Sequence, residues 1–259
     1  MSRSLRKLKG IWKDPLDPVE YYLPIDNQEI YLNPYLGKTF SLQWTGEIRC
    51  IYCERFIKKS YHQGYCFPCF QTLARCDFCI LKPETCHFHL GTCREPEWGK
   101  EHCFMPHWVY LANTSGLKVG ITRETQIPTR WIDQGATEAL PICRVESRYQ
   151  SGLIEIQLKK WVNDKTDWRK MLSSAGEKRD LRKDRDWLLR ECNLDKISAE
   201  KEIISIKYPV LEYPKKVKAI NIEKTSFVEG TLLGIKGQYL IFDVGVLNIR
   251  KLGGYHVSF

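Results

Sequence analysis

Between Trp108 and Val162 the spacing of apolar positions changes character twice. "WVYLA" and "LKVGIT" are short and largely apolar, and Asn113-Thr114-Ser115-Gly116 lies between them. They read as two strands joined by a tight turn. "IPTRWIDQGA" then reads as a helix and "PICRVESR" as a third strand. In "SGLIEIQLKKWV", Ile154, Leu158, Trp161 and Val162 recur at helical spacing, which predicts an amphipathic helix with lysines on its outer face. "RDLRKDRDWLLREC" predicts another helix, strongly charged and exposed over most of its surface. Upstream, "QEIYL" and "KTFSLQW" read as strands. From about residue 205 onward, apolar alternation predicts a small sheet or barrel, with a hairpin turn at Gly234 to Gly237.

Composition narrows this picture. With 259 residues, 43% of them hydrophobic and including eight Trp and thirteen Tyr, the chain can bury real cores and is not a disordered tail. A formal charge of +9 favours an acidic partner, of which nucleic acid, DNA or RNA, is the commonest. The arm Arg3, Arg6, Lys7 and Lys9 suggests phosphate contacts without sequence readout. No apolar run is long enough to span a membrane, and the basic N-terminus lacks the apolar centre of a signal peptide, so a cytoplasmic location is expected. In that reducing compartment eleven cysteines are poor disulfide formers, and their clustering points to metal.

Nine of the eleven cysteines fall between residues 50 and 107. "CIYC" and "CFPC" place Cys50, Cys53, Cys66 and Cys69 in two knuckles, each presenting two thiolates, as a closed tetrahedral zinc shell needs. "CDFC" supplies Cys76 and Cys79, whose partners must come from Cys86, His87, His89, Cys93, Cys103 and His107. Cys86 and Cys93 are nearest in sequence and come first; Cys93 with Cys103 is the second choice, and an interleaved pairing of the knuckles also satisfies the ligand count. Four protein ligands leave no open position, so both zincs are expected to be structural. Cys143 and Cys192 stand alone and read as core residues.

"WVYLANTSGLKVGIT", followed by "TRW" and "EIQL", resembles the GIY-YIG nuclease superfamily, in the branch whose second motif reads Lys-Ile-Gly. The likeness covers roughly residues 108–165. A longer stretch, including the cysteine block and "GTCREPEWGKEHC", resembles a family of bacterial proteins catalogued as a domain of unknown function. The first resemblance places Tyr110 on the tyrosine of the first motif, Gly120 on the glycine of the second, Lys118 where many members have a second tyrosine, Arg130 on the arginine of the first helix and Glu155 on the metal-binding glutamate. Trp108 stands where the first motif has its glycine.

Phosphodiester hydrolysis needs a deprotonated water, neutralised phosphoryl oxygens and help for the leaving oxygen. In the expected division of labour Tyr110 is the base and Lys118 the neighbouring cation that favours its phenolate. Arg130 clamps the phosphate, and Glu155 holds one Mg²⁺ or Mn²⁺. Trp108, Trp131 and Tyr149 are possible stacking faces for bases, with core packing the stronger reading for Trp108.

The expected architecture is α/β: a small GIY-YIG-like α/β core preceded by a zinc-ribbon-like cysteine block, with a strand-rich C-terminal segment. Its segments are a basic, strand-rich arm over 1–49, the zinc-binding block over 50–107 and the core over 108–175. A charged helical segment over 176–204 and the strand-rich segment over 205–259 complete it. The expected function is a nucleic-acid-binding protein that cleaves phosphodiesters with a divalent metal and carries structural zinc; the alternative is a non-catalytic, zinc-braced nucleic-acid-binding module.

Overall fold

The computed structural model describes residues 3–194 and 201–259; the side chain of Arg3 and residues 195–200, part of the expected charged helical segment, lie outside the described residues. Strands β1 (Arg3–Ser4), β2 (Lys9–Ile11), β3 (Glu20–Ile25), β4 (Gln28–Tyr31) and β5 (Thr39–Ile48) come first. The cysteine block carries α1 (Phe67–Thr72) and α2 (Pro96–His102) among short 3-10 turns. Next come β6 (His107–Asn113), β7 (Leu117–Arg123), α3 (Thr129–Asp133), β8 (Glu138–Val145) and α4 (Arg148–Leu158). They are followed by α5 (Trp168–Ser173), α6 (Leu181–Glu191), β9 (Ile204–Ser205) and α7 (Ile222–Thr225). Strands β10 (Phe227–Lys236), β11 (Tyr239–Phe242), β12 (Gly245–Asn248) and β13 (Tyr255–Ser258) close the chain. The fold is mixed α/β with several sheets.

The chain forms two compact units, one of Met1–Gln71, Leu172–Ala175 and Ile206–Phe259, the other of Thr72–Met171 and Gly176–Ser205. These units cut across the contiguous segments drawn from sequence. The physical reason is long-range pairing: β5 lies between β13 and β10, with Tyr255 opposite Ile48 and Val228 opposite Leu42. The early and late strands are therefore one structure, and the cysteine block divides after Gln71.

In the first unit a six-stranded sheet runs β1-β13-β5-β10-β11-β12 and a three-stranded one β2-β3-β4. Strand β3 shows the period of two that a half-buried strand requires, with Tyr21, Leu23 and Ile25 buried and Glu20, Tyr22 and Pro24 less so. The β10–β11 hairpin turns over Gly237 and Gln238, with Lys236 opposite Tyr239 and Gly237 at φ 61°. Gly234, expected in that turn, instead sits at a bulge where an added Cβ would lie 2.9 Å from Val210.

In the second unit the sheet order is β7-β6-β8-β9, with β6 central. Pairing of Tyr110 with Gly120 and Ala112 with Lys118 puts these residues on one face. Val109, Leu111, Val119 and Ile121 form the other face and pack with Leu158, Leu181, Leu188 and Leu189 into the core. Helix α4 is capped by Ser147, which accepts from the Gln150 amide at 3.3 Å. It buries Ser151, Gly152, Glu155 and Leu158, a stripe at i, i+1, i+4 and i+7 that takes a carboxylate inside. The helix stops at Leu158, short of the expected Val162, and Trp161 is half-exposed, meeting Trp187 edge-on at 6.0 Å. Helix α6 starts from Asp180, whose carboxylate caps Arg182 and Lys183, and buries Leu181, Leu188 and Leu189; Arg182, Lys183, Asp186 and Arg190 are exposed, whereas Asp184 and Arg185 are largely covered.

Candidate metal centre and candidate active site

In the first unit β5 delivers Cys50 and the turn after it Cys53; the start of α1 supplies Cys66 and Cys69. The four Sγ atoms lie within 4.8 Å of one another. Cys53 and Cys66 Sγ are 3.7 Å apart, close to the edge of about 3.8 Å that a tetrahedron with Zn–S near 2.3 Å has. The donor set, four soft sulfurs, fits a closed zinc site. Arg55 Nε donates to Cys53 Sγ at 3.2 Å, and a hydrogen bond from the Arg55 backbone, with the neighbouring thiols, brings the Cys53 thiol down to about 6. Burial, with the neighbouring thiols, pushes Cys69 up, as expected when several sulfurs compete to stay protonated. The knuckle rests on a close backbone approach: a Cβ on Gly254 would meet the Arg49 carbonyl at 2.1 Å, and one on Gly253 the Gln63 carbonyl at 2.4 Å. Only glycine fits there, which gives the C-terminal "GGY" a role.

Around the same knuckle Tyr52, Phe56 and Phe67 are exposed. The Arg49 guanidinium lies 3.9 Å over Phe56 and Lys59 Nζ 5.3 Å over Tyr61. The expected basic arm is more engaged than its sequence suggests: Arg6 donates to the Ile51 carbonyl at 2.9 Å and Lys9 pairs with Glu29 at 3.0 Å.

The second cysteine group lies in the second unit. Cys79, Cys86, Cys93 and Cys103 line one small cavity with Ala74, Asp77, His87, Phe88 and Trp98. Cys79, Cys86 and Cys103 are buried and packed together against Phe88, Trp98 and Tyr149. Asp77, Cys79 and His87 also bring donor atoms within 4.8 Å of one another. Cys76 is buried but is not among the residues lining this cavity. Cys143 is buried in the apolar core and Cys192 packs against it.

Tyr110, Lys118, Arg130 and Glu155 come together. The Tyr110 hydroxyl donates to Gln134 Oε1 at 2.9 Å and feels the charges of Arg130 and Glu155. Lys118 feels Arg130, Asp164, Glu155 and Lys159. Glu155 pairs with Lys159 at 3.4 Å, and Lys159 bridges onward to Asp164 at 3.0 Å. Tyr110, Lys118 and Glu155 are buried, at 0%, 4% and 6% exposure, and Arg130 is the partly exposed member. Gly120 makes the arrangement possible, since a Cβ there would lie 2.6 Å from Tyr110 Oη.

The expected electrostatics of the pair Tyr110–Lys118 are corrected by this geometry. Burial raises Tyr110 above its ordinary value, and the cation that opposes the rise is Arg130, not Lys118. Lys118 is itself lowered to about 8, first by burial and then by Arg130. Burial also raises Glu155, against the pull of Lys159. Gln134, Lys159 and Asp164 were absent from the sequence reading; of these Lys159 was legible, standing four residues after Glu155 on one helix. Two of the three expected stacking faces are closed: Trp131 is wholly buried with its ring 5.8 Å from Tyr110, and Trp108 is 5% exposed, whereas Tyr149 is partly buried and packs on His89 at 4.5 Å.

At Glu155 a divalent cation would meet one carboxylate already neutralised by Lys159. No group of three or more His, Cys, Asp or Glu donors converges there among the described residues. Such a donor set suits Mg²⁺ only if substrate phosphates and waters complete the shell.

Fold and site together define a mixed α/β protein with a zinc-competent tetracysteine knuckle and a Tyr-Lys-Arg-Glu cluster of which Tyr110, Lys118 and Glu155 are buried. The chain belongs to the family described as protein of unknown function (DUF2797), whose model matches residues 37–257. No curated protein and no solved structure matches the chain. The GIY-YIG resemblance draws no support from these comparisons. Among the described residues no helix is long and apolar enough to cross a membrane.

Proposed function

We propose that the second unit carries a phosphodiester-cleaving centre acting on nucleic acid, with zinc at Cys50, Cys53, Cys66 and Cys69 serving as a structural brace. The observation that supports it is the convergence of Tyr110, Lys118, Arg130 and Glu155, drawn from two strands and two helices, on one cluster. Arg130, the partly exposed member, meets the phosphate and offers a bidentate fork to its oxygens. Lys118, with its ammonium at about 8, holds a share of neutral amine near physiological pH and accepts the proton of the attacking water. Tyr110, which burial keeps protonated, orients Arg130 and Gln134 rather than acting as base. A divalent cation at Glu155 would supply charge neutralisation at the scissile phosphate. The exposed aromatic and cationic side chains around Phe56 and Tyr61 suit single-stranded bases and phosphates, which supports nucleic acid as partner. Free thiols throughout are in keeping with a cytoplasmic setting.

One observation favours a second reading, a non-catalytic nucleic-acid-binding module: Glu155 is 6% exposed and already ion-paired. The experiment that separates the two is a cleavage assay on labelled DNA and RNA, single- and double-stranded, with Mg²⁺ or Mn²⁺. Wild type should cut, and Arg130→Ala and Glu155→Gln should not. Binding that weakens with salt but no cutting assigns the binding module. Neither binding nor cutting removes nucleic acid as the partner.

A further inference from the structure

The second cysteine group has six sulfur, nitrogen and oxygen donors around one cavity, and their existing partners sort them. Asp77 is committed elsewhere: its carboxylate caps the turn at the Cys79 amide, 3.2 Å away, and pairs with Arg94 at 2.7 Å. His87 is held by Thr92 Oγ1 at 2.7 Å and faces Asp77 at 3.6 Å. That leaves the four thiols. Cys79, Cys86 and Cys103 are buried and packed together, and Cys93, whose thiol donates to the Glu95 carbonyl at 3.5 Å, lines the same space.

We propose that Cys79, Cys86, Cys93 and Cys103 hold a second zinc ion in a closed tetrathiolate site that fastens the Glu155-bearing helix to the cysteine block. Four thiols around one small cavity supply the donor set of a closed zinc site. The fastening follows from who holds Arg148, the first residue of α4. Its amide donates to the Cys103 carbonyl at 2.8 Å, and its guanidinium donates to the carbonyls of Cys79 at 3.3 Å and Ile80 at 2.7 Å. Two of the four ligand residues thus grip the helix through their own backbone. One turn on, Gly152 lies so near the 83–84 backbone that a Cβ would meet the Glu84 nitrogen at 2.3 Å. Arg148 makes no carboxylate ion pair among the described residues. A zinc bound by four thiolates carries net negative charge and supplies the counter-charge this guanidinium otherwise lacks.

This inference does not rest on the nuclease reading, and its test reads metal rather than activity. The full chain, purified without added metal, is weighed by native mass spectrometry and its zinc measured by elemental analysis. Wild type should hold two zinc ions. Cys86→Ser and Cys103→Ser should each hold one, as should Cys53→Ser, whereas Cys76→Ser should keep two. Amide exchange at the start of α4 should rise at least tenfold in Cys103→Ser and stay unchanged in Cys53→Ser. Should Cys86→Ser or Cys103→Ser fail to fold, X-ray absorption on wild type decides: a sulfur-only shell supports the site. A nitrogen shell overturns it, and His87 would then be the ligand to examine, because it lines the cavity and its ring nitrogen lies within 4.8 Å of donor atoms of Cys79 and Asp77. A single zinc in wild type, loss of zinc in Cys76→Ser, or iron with inorganic sulfide would each overturn the proposal.

Discussion

Adding one methyl group at Gly120 tests whether the polar cluster is built as described. The backbone permits alanine there, because Gly120 is not among the residues with positive φ. The obstacle is steric: the new Cβ would lie 2.6 Å from Tyr110 Oη and 2.8 Å from Cζ. A tyrosine tip at a surface would swing aside at little cost. This one is fully buried, has Trp131 edge-on at 5.8 Å and is tied to Gln134 at 2.9 Å. Overpacking of that kind costs about 1–3 kcal/mol, partly offset by the ~0.5–1 kcal/mol that alanine gains over glycine in a regular element. Gly120→Ala should therefore destabilise the second unit by about 1–2 kcal/mol. In a Tyr110→Leu background the obstacle is gone, and the same change should be neutral or slightly stabilising. Because the chain has two compact units, a single unfolding free energy is not well defined. The assay is native-state amide exchange at Leu111 and Val119, which reports the stability of the hairpin itself. Equal destabilisation in both backgrounds would refute the placement of Tyr110 over Gly120.

Lys236 is wholly buried, donating to the Ser174 carbonyl at 3.0 Å between the rings of Tyr208 and Tyr213, and burial lowers it from 10.5 to about 8. The unfolded chain holds that proton up to a higher pH, so stability of the first unit should rise between pH 8 and 10.5, by about 3 kcal/mol at most; Lys236→Met should flatten the rise, measured by urea midpoints at pH 8 and 10. Cys53→Ser should release a zinc ion and loosen the turn over residues 49–66, read by elemental analysis and amide exchange. Gly152→Ala should cost 2 kcal/mol or more, on the order of an unrelieved backbone clash, visible as a lower melting temperature. If cleavage is found, its rate should climb through about pH 8 as Lys118 loses its proton, and Lys118→Met should abolish that limb of the profile.

What the sequence made legible was local. Two-residue gaps between cysteines force the thiols of a knuckle together, and so Cys50, Cys53, Cys66 and Cys69 do converge. The strand–turn–strand–helix–strand–helix order of residues 108–158 follows from periodicity and is what forms. Pairings between distant segments were not legible: nothing near Thr39–Ile48 announces that its neighbours are Phe227–Thr231 and Tyr255–Ser258. Helix α4 misled for a related reason. Its buried stripe carries Ser151, Gly152 and Glu155, whose composition reads as outward-facing, and Trp161 beyond it reads as core but is half-exposed. Trp131, read as a possible stacking face, is wholly buried, because a tryptophan fills interior volume effectively.

The roles of Tyr110 and Lys118 show why residue type alone does not assign chemistry. A tyrosine and a lysine on one face of a hairpin suggest a phenolate stabilised by an ammonium, and the register does put them on that face. Burial acts on both groups, however, and in opposite senses: it disfavours the phenolate and disfavours the ammonium. Arg130 then takes the counterion role beside Tyr110 and presses Lys118 further toward neutrality. Tyrosine is left as donor and lysine as the group that titrates near neutral pH. Substituting the two separately distinguishes these assignments. If cleavage is found, Tyr110→Phe should weaken it without moving its pH profile, whereas Lys118→Met should remove the limb near pH 8; the reverse pattern would restore Tyr110 as the base.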